Sequence, residues 1–187
     1  MQKNARELTF SQSARELKKT QCLVVCAMMV ALNIVLSRFT VIYLSPTSRI
    51  SFGYLAIAVV AMLYGACPAM LVGAAADIVG ALAFPAGAYF PGYTLSAAVG
   101  GFIYAIFLNR KQLSWQIIAA QAVHNLLVNV LLGSLWRSVV YGKAYLAYLP
   151  AQLTKNAIML PIEAGVLFIL YMLMQRVMPV LKRQTCR

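Results

Sequence analysis

The chain has 187 residues, of which 62% are hydrophobic and only 11% are charged, and its mean hydropathy is +0.78. A soluble domain of this length cannot bury so much apolar surface, so the composition predicts an integral membrane protein. The formal net charge of +12 does not indicate a nucleic-acid-binding protein, because the cations lie at the ends of apolar segments and not along polar helix faces.

Residues 1–20 are polar and of mixed charge. They are too polar for the apolar core of a signal peptide, and they predict a cytoplasmic tail that contains a short amphipathic segment. A domain of transmembrane helices is predicted over residues 21–178, and a second cytoplasmic tail over residues 179–187.

The transmembrane spans are predicted from apolar runs, because a helix needs about 20 such residues to cross the hydrocarbon of a bilayer. We predict six spans, with five as the alternative, since the second and third are short and are divided only by residues 65–68. The fold class is therefore an all-α membrane protein. The spans are residues 21–40, 52–66, 68–84, 93–109, 115–136 and 150–178.

The distribution of lysine and arginine predicts the orientation of these spans. Six spans place both termini on one side, and the cations concentrated there mark it as the cytoplasm. Taken singly, Arg38 and Arg137 are also explained as residues near helix ends whose long side chains reach the lipid headgroups. Taken together, cations around an outward-facing mouth indicate an anionic ligand. The cations predicted on or near the outer side are Arg38, Arg49, Arg137, Lys143 and Lys155.

The segment 84–97 combines aromatic residues with prolines and glycines between two apolar runs. Because proline restricts the backbone and glycine permits tight turns, the segment predicts a stiff aromatic hairpin at the membrane surface. Such a hairpin presents a surface for a flat ring, although an interfacial aromatic belt explains the same residues equally well. The surface consists of Phe84, Tyr89, Phe90 and Tyr93, with Thr94 beside them.

Polar side chains inside the spans recur at helical spacing. Asp77 lies in a run of small residues, about 10 Å from the outer end of its helix, and an intramembrane carboxylate needs a partner or a ligand. For His124 and Glu163 we favour interhelical hydrogen bonds. Two polar helix faces are predicted, one with Gln121, Asn125 and Asn129, the other with Gln152, Lys155, Asn156 and Glu163.

On this topology the outer half of the bundle combines ring-stacking faces, one acid and several cations. The amidine-like edge of a heterocycle would give two hydrogen bonds to Asp77, and a carboxylated tail would meet arginine or lysine. The set therefore predicts an aromatic, anionic small molecule as the ligand. The predicted binding residues are Arg49, Asp77, Phe84, Tyr89, Phe90, Tyr93, Thr94, Arg137, Lys155 and Asn156.

The motifs of enzymes, metal sites and ATPases are missing from this sequence. The four cysteines form no CxxC or Cys/His pattern, and the single histidine has no Ser-His or HExxH arrangement around it. We expect no catalytic activity, no metal and no cofactor. Because no GxxxxGK loop is present either, a partner must supply the energy for transport. Ala27 and Ala31, one helical turn apart, predict a face on which such a partner docks.

Five segments of the chain resemble the folate-specific S component of energy-coupling factor transporters. They are Ala27–Asn33, Asn33–Phe39, Arg49–Leu55, Ala76–Ala81 and Phe84–Ala97. The resemblance covers residues 22–110 and is vague in the last two helices. It implies a six-helix S-component fold in the cell membrane, with both termini cytoplasmic and one vitamin bound in a pocket closed by outer loops. It also implies a membrane scaffold subunit and two cytosolic ATPases as partners, and a body that topples in the bilayer to release its cargo.

The residues leave other functions open. The nearest is an S component for another vitamin, such as pantothenate or riboflavin. Riboflavin carries no carboxylate, so a loss of affinity on replacing Arg137 or Lys155 would count against it. The other is a non-transport membrane assembly subunit, in which the polar faces only hold the helices together.

Overall fold

The computed structural model describes residues 10–39, 42–45, 48–84, 90–108, 114–142 and 145–185. Its helices surround an apolar core, and a short antiparallel hairpin connects α2 with α3. A π-helical segment, Asn125–Leu132, joins α6 to α7. The elements are α1 (Phe10–Glu16), α2 (Thr20–Arg38), β1 (Ile42–Ser45), β2 (Ser48–Ile50), α3 (Tyr54–Tyr64), α4 (Ala66–Ala83), α5 (Pro91–Leu108), α6 (Ser114–His124), α7 (Gly133–Tyr141) and α8 (Tyr145–Thr185).

The predicted class, an all-α membrane protein, is confirmed. Within the described residues, five helical stretches are long and apolar enough to cross a membrane, and α3 is an apolar helix of 11 residues. The six-span count and the cytoplasmic side of both termini stay predictions. The five stretches are Thr20–Arg38, Ala66–Ala83, Pro91–Leu108, Trp115–Val140 and Gln152–Arg176.

The second and third predicted spans are two helices and not one broken helix. Gly65 ends α3 with a φ of 82°, which lies in the region that favours glycine, and α4 begins at the next residue. Pro68 lies in the first turn of α4, where its missing N–H breaks no helical hydrogen bond.

The connection between α4 and α5 is shorter than the predicted aromatic hairpin. Helix α5 begins at Pro91, a residue whose fixed φ suits the first position of a helix, so Tyr93 and Thr94 lie in its first turn. The two short strands β1 and β2 were not predicted. They pair antiparallel, with Ile42 opposite Ile50.

Two glycines let α4 and α5 approach each other closely. A Cβ atom added to Gly73 would lie 2.6 Å from the carbonyl oxygen of Ala97, and one added to Gly101 would lie 2.6 Å from that of Ala69. No side chain fits into these gaps, so the two backbones touch at both places. This contact determines which faces of α4 and α5 meet, and thereby places the polar residues near the start of α5.

The bundle has two distinct ends. At one end, Ser13 of α1 donates a hydrogen bond to the carbonyl oxygen of Tyr64, at 2.5 Å, which ties α1 to the end of α3. At the other end, the rings of Phe39 and Phe84 meet with their centroids 5.7 Å apart, and those of Phe90 and Trp136 are 5.4 Å apart. We call the second end, defined by these four rings, the aromatic end.

Candidate ligand site at the aromatic end

Asp77 of α4 and Thr94 of α5 form the polar centre of the aromatic end. The Thr94 hydroxyl donates a 2.8 Å hydrogen bond to Asp77 Oδ2, and both residues are half-buried. A carboxylate can accept about four hydrogen bonds, so the bond from Thr94 alone does not fill the capacity of Asp77.

Arg38 lies against the same face of α4. A Cβ atom added to Gly80 would lie 3.5 Å from Arg38 Nη2 and 3.6 Å from Nε, and Gly80 follows Asp77 by three residues. Residues at this spacing share a helix face, so the Arg38 guanidinium lies about one turn beyond Asp77. The sequence analysis did not include Arg38 among the binding residues, although the absence of a side chain at Gly80 was a signal for a close contact.

The described residues that define the aromatic end form two groups of rings. Phe84 packs edge-on against Phe39, and these rings are 45% and 71% exposed. Phe90 packs edge-on against Tyr93, at 6.3 Å, and also against Trp136. The structure therefore brings Phe90 and Tyr93 together and pairs Phe84 with Phe39, the residue that follows α2. Tyr89 lies outside the described residues.

Trp136 was not predicted as a site residue, and it lies within the second group of rings. Its indole Nε1–H donates a 2.8 Å hydrogen bond to Ser96 Oγ on α5. Gly92 makes room for both rings, because a Cβ atom there would lie 2.5 Å from Phe90 Cε1 and 2.6 Å from Trp136 Cδ2. The one signal for Trp136 in the sequence was its position directly before Arg137, since neighbouring helical residues reach the same end of the bundle.

Four other predicted site residues lie on β2, α7 and α8. Arg137 lies half-buried on α7, and Asn156 is buried on α8, where its Nδ2 donates 2.9 Å to the carbonyl oxygen of Gln152 in its own helix. This bond engages Asn156 within α8. The backbones of Arg49 and Lys155 lie in β2 and α8, and their side chains are outside the described part of the chain.

A second polar cluster, here called the amide network, lies between α5, α6, the π-helical segment and α8. Glu163 Oε2 accepts 2.8 Å and 2.7 Å hydrogen bonds from Gln121 Nε2 and Asn125 Nδ2. Gln121 Oε1 accepts from the Tyr104 hydroxyl at 2.8 Å, and Asn125 Oδ1 accepts from Asn129 at 2.7 Å. These are the interhelical bonds that we expected for Glu163.

His124 lies beside this network. Its ring stacks on Tyr104, with the ring centroids 4.7 Å apart, and its Nε2 lies 2.9 Å from the position of a Cβ atom on Gly100. His124 therefore packs α6 against α5. Within the described residues, no group of three or more His, Cys, Asp or Glu side chains could hold a metal ion.

The predicted partner-docking residues lie on the outside of the bundle. Ala27 and Ala31 are exposed on α2, and their neighbours Met28 and Leu32 are 66% and 44% exposed. Small exposed residues flanked by apolar side chains form a shallow apolar strip, which suits contact with another membrane helix. The docking role itself stays a prediction.

The apolar helices and the polar, aromatic-lined end of their bundle define a multi-pass membrane protein. Comparison with known proteins places it more closely: the family model for the substrate-specific component of the ECF transporter matches residues 21–171. The chain therefore belongs to the family of substrate-specific components of ECF transporters, and it is a transporter subunit and not an enzyme. The resemblance found in the sequence is confirmed, and it extends to residue 171 in the last helix, whereas the motifs alone were vague in the last two helices.

The chain is also similar to individual members of this family. It is 39% identical over 153 residues to the folate transporter FolT of Clostridium novyi (strain NT), covering 81% of this chain and 88% of that protein. It is 33% identical over 158 residues to FolT of Leuconostoc mesenteroides subsp. mesenteroides, covering 81% and 84%. A solved structure, the crystal structure of FolT bound with folic acid, matches with a TM-score of 0.74 and 32% identity, covering 81% of this chain and 91% of that chain.

Proposed function

We propose that this protein is a folate-specific S component of the cell membrane. It binds folate at the aromatic end, which faces outward, and it delivers the vitamin together with an ATP-driven partner module. That module consists of a membrane scaffold subunit and two cytosolic ATPases. The observation that carries the proposal is the half-buried Asp77 carboxylate, which Thr94 orients at 2.8 Å beside a group of aromatic rings.

The ring system of folate matches the polar centre of the site. The 2-amino-pyrimidinone edge of a pterin presents two N–H donors side by side, and a carboxylate accepts such a pair in parallel. Thr94 already holds one oxygen of Asp77, so the carboxylate is oriented before the ligand arrives. Partial burial strengthens these hydrogen bonds, because less water competes for the carboxylate.

The remaining parts of folate match the surroundings of Asp77. The flat pterin and benzoyl rings can pack against the group formed by Phe90, Tyr93 and Trp136. The glutamate tail carries two negative charges, and Arg38 and Arg137 supply cations on two sides of the site. Two relatives that share more than 30% of their residues with this chain are named as folate transporters, which supports the same ligand.

The outward orientation rests on the charge distribution. The positive-inside rule assigns the lysine- and arginine-rich side of the bundle to the cytoplasm, and the aromatic end is the opposite side. A ligand taken up from outside would therefore reach Asp77 directly. The membrane scaffold subunit contacts the exposed strip around Ala27 and Ala31.

The test is a calorimetric titration of the purified protein with folic acid, riboflavin and pantothenate. We expect saturable binding of one folic acid per chain and no binding of the other two vitamins. Binding of riboflavin or pantothenate in preference to folic acid would assign the protein to another vitamin. Failure to bind any of the three would favour the assembly-subunit alternative.

A second measurement tests transport. Proteoliposomes that contain this chain, a scaffold subunit and two ATPases should accumulate folic acid when ATP is supplied to the ATPases. The chain alone in proteoliposomes is the control and should bind folic acid without accumulating it. Accumulation by the chain alone would contradict the need for a partner.

A further inference from the structure

Helix α5 makes hydrogen bonds in two directions near its start. Thr94 donates to Asp77 on α4, and Ser96 accepts from Trp136 on α7, both at 2.8 Å. Residues two positions apart on an α-helix point about 200° away from each other. The start of α5 therefore lies between the Asp77 carboxylate and α7, and it determines how far apart they are.

The contact between α5 and α7 is well defined. Ser96 is 7% exposed, so its hydrogen bond to Trp136 is shielded from competing solvent. The indole also lies directly on the α5 backbone, because Gly92 has no Cβ atom to separate them. Trp136 is therefore held on α5 by a hydrogen bond and by ring packing.

Arg137 follows Trp136 on α7 and points about 100° away from it around the helix axis. The Asp77 carboxylate and the Arg137 guanidinium belong to helices α4 and α7, which the α5 contacts described above keep apart. Any ligand that uses both groups must span that separation. Trp136 connects α7, the helix that carries the arginine, to α5.

We propose that Trp136 is a positioning residue whose hydrogen bond to Ser96 sets the distance between Asp77 and Arg137, and with it the length of ligand that the site accepts. The inference rests on the proposed function, since folate is the ligand whose ring would meet Asp77 and whose acidic tail would meet Arg137. Trp136 acts here through α5 and Arg137. It selects ligands with an acidic group at the far end of the molecule from the hydrogen-bonding ring.

The test is a double-mutant cycle on folic acid affinity, measured by calorimetry with the full-length protein. Ser96→Ala removes the acceptor of the Trp136 hydrogen bond and leaves the indole in place. We expect the Kd for folic acid to rise about three- to tenfold, the range that corresponds to one hydrogen bond. In an Arg137→Gln background the same substitution should change the Kd by less than about twofold, because the contact that it positions is already gone.

Trp136→Phe removes the same hydrogen bond from the donor side and provides a second, independent variant. Its effect should likewise be larger with Arg137 present than in the Arg137→Gln background. Thermal unfolding of each variant in detergent is measured alongside. In a Trp115→Phe background, Trp136 is the only tryptophan, and a shift of its emission on Ser96→Ala reports the loss of the bond.

A purely structural role predicts a different result. In that case Ser96→Ala would weaken folic acid binding by the same factor with and without Arg137, in proportion to the loss of stability. Equal factors in the two backgrounds, no effect of Ser96→Ala, or no effect of Arg137→Gln on folic acid affinity would each overturn the inference. These outcomes leave the proposed function intact, which fails only if the unmodified protein does not bind folic acid.

Discussion

Gln121 Nε2 lies 2.8 Å from Glu163 Oε2 and joins α6 to α8 in the middle of the bundle. The same carboxylate oxygen accepts from Asn125, so a single acidic group satisfies two buried amides. Apolar lipid offers no alternative partners to these amides, which makes the carboxylate a structural link between the helices.

We predict that Glu163→Ala lowers the stability of the protein more than Glu163→Gln. The alanine variant leaves both amide N–H groups without their acceptor, at a cost of about 0.6–2 kcal/mol for each bond in a membrane bundle. The glutamine variant keeps a carbonyl oxygen in the same place. Thermal unfolding in detergent checks the order, and equal midpoints for the two variants would show that the carboxylate does not link the helices.

Replacing Asp77 tests the polar centre of the ligand site. We predict that Asp77→Asn weakens folic acid binding by about 1–3 kcal/mol, because the charge is lost and an amide NH2 replaces one of the two acceptor oxygens. Calorimetry on the purified variant measures the change. An affinity equal to that of the unmodified protein would remove Asp77 from the site.

Replacing Thr94 tests whether the orientation of Asp77 matters. Thr94→Val keeps the shape of the side chain and removes the donor, so the affinity for folic acid should fall by about 0.5–1.5 kcal/mol, less than for Asp77→Asn. Thr154→Val is the matched control, because Thr154 is exposed on α8 and its hydroxyl bonds only to the carbonyl oxygen of Pro150 in the same helix. The control should bind folic acid normally, and a comparable loss in both variants would argue against a specific role for Thr94.

The close contact between α4 and α5 predicts that Gly73→Ala and Gly101→Ala are destabilising. Each added methyl would overlap a backbone carbonyl at 2.6 Å, and the helices would have to separate, at a cost of about 1–3 kcal/mol. Gly165→Ala is the control, since no atom lies within 4 Å of the position of its Cβ. Thermal unfolding should show lower midpoints for the first two variants only, and a loss of similar size at Gly165 would indicate a general intolerance of alanine.

Substitutions in the exposed strip on α2 should affect uptake of folic acid without affecting its binding. The double substitution Ala27→Leu with Ala31→Leu should leave folic acid affinity unchanged and abolish ATP-dependent uptake with the partner module, because bulky side chains keep another helix from approaching. Ala157→Leu is the matched control on α8, where the alanine is also exposed. Uptake in proteoliposomes measures the effect, and normal uptake by the double variant would place the docking face elsewhere.

The sequence by itself determined the class, the approximate spans and the family of this protein. Hydropathy and the positions of glycine and proline act locally, so α2, α3, α4 and α5 begin and end near their predicted bounds, whereas α8 extends beyond the predicted span 150–178 at both ends. The motifs in the first half of the chain identified the family for the same reason, since each is a short continuous segment. Asp77 was recognised from the sequence because a carboxylate inside an apolar span is unusual, whichever direction its side chain faces.

Only the tertiary structure decided which side chains meet. Asp77 is bonded to a threonine 17 residues later, the Arg38 side chain lies against Gly80 of α4, and Trp136 is bonded to Ser96. These pairings depend on how far each helix is rotated and how closely it approaches its neighbour, and the touching backbones at Gly73 and Gly101 set both for α4 and α5. Rotation about the helix axis does not change the hydropathy of a segment, so the sequence pattern leaves it undetermined and packing resolves it.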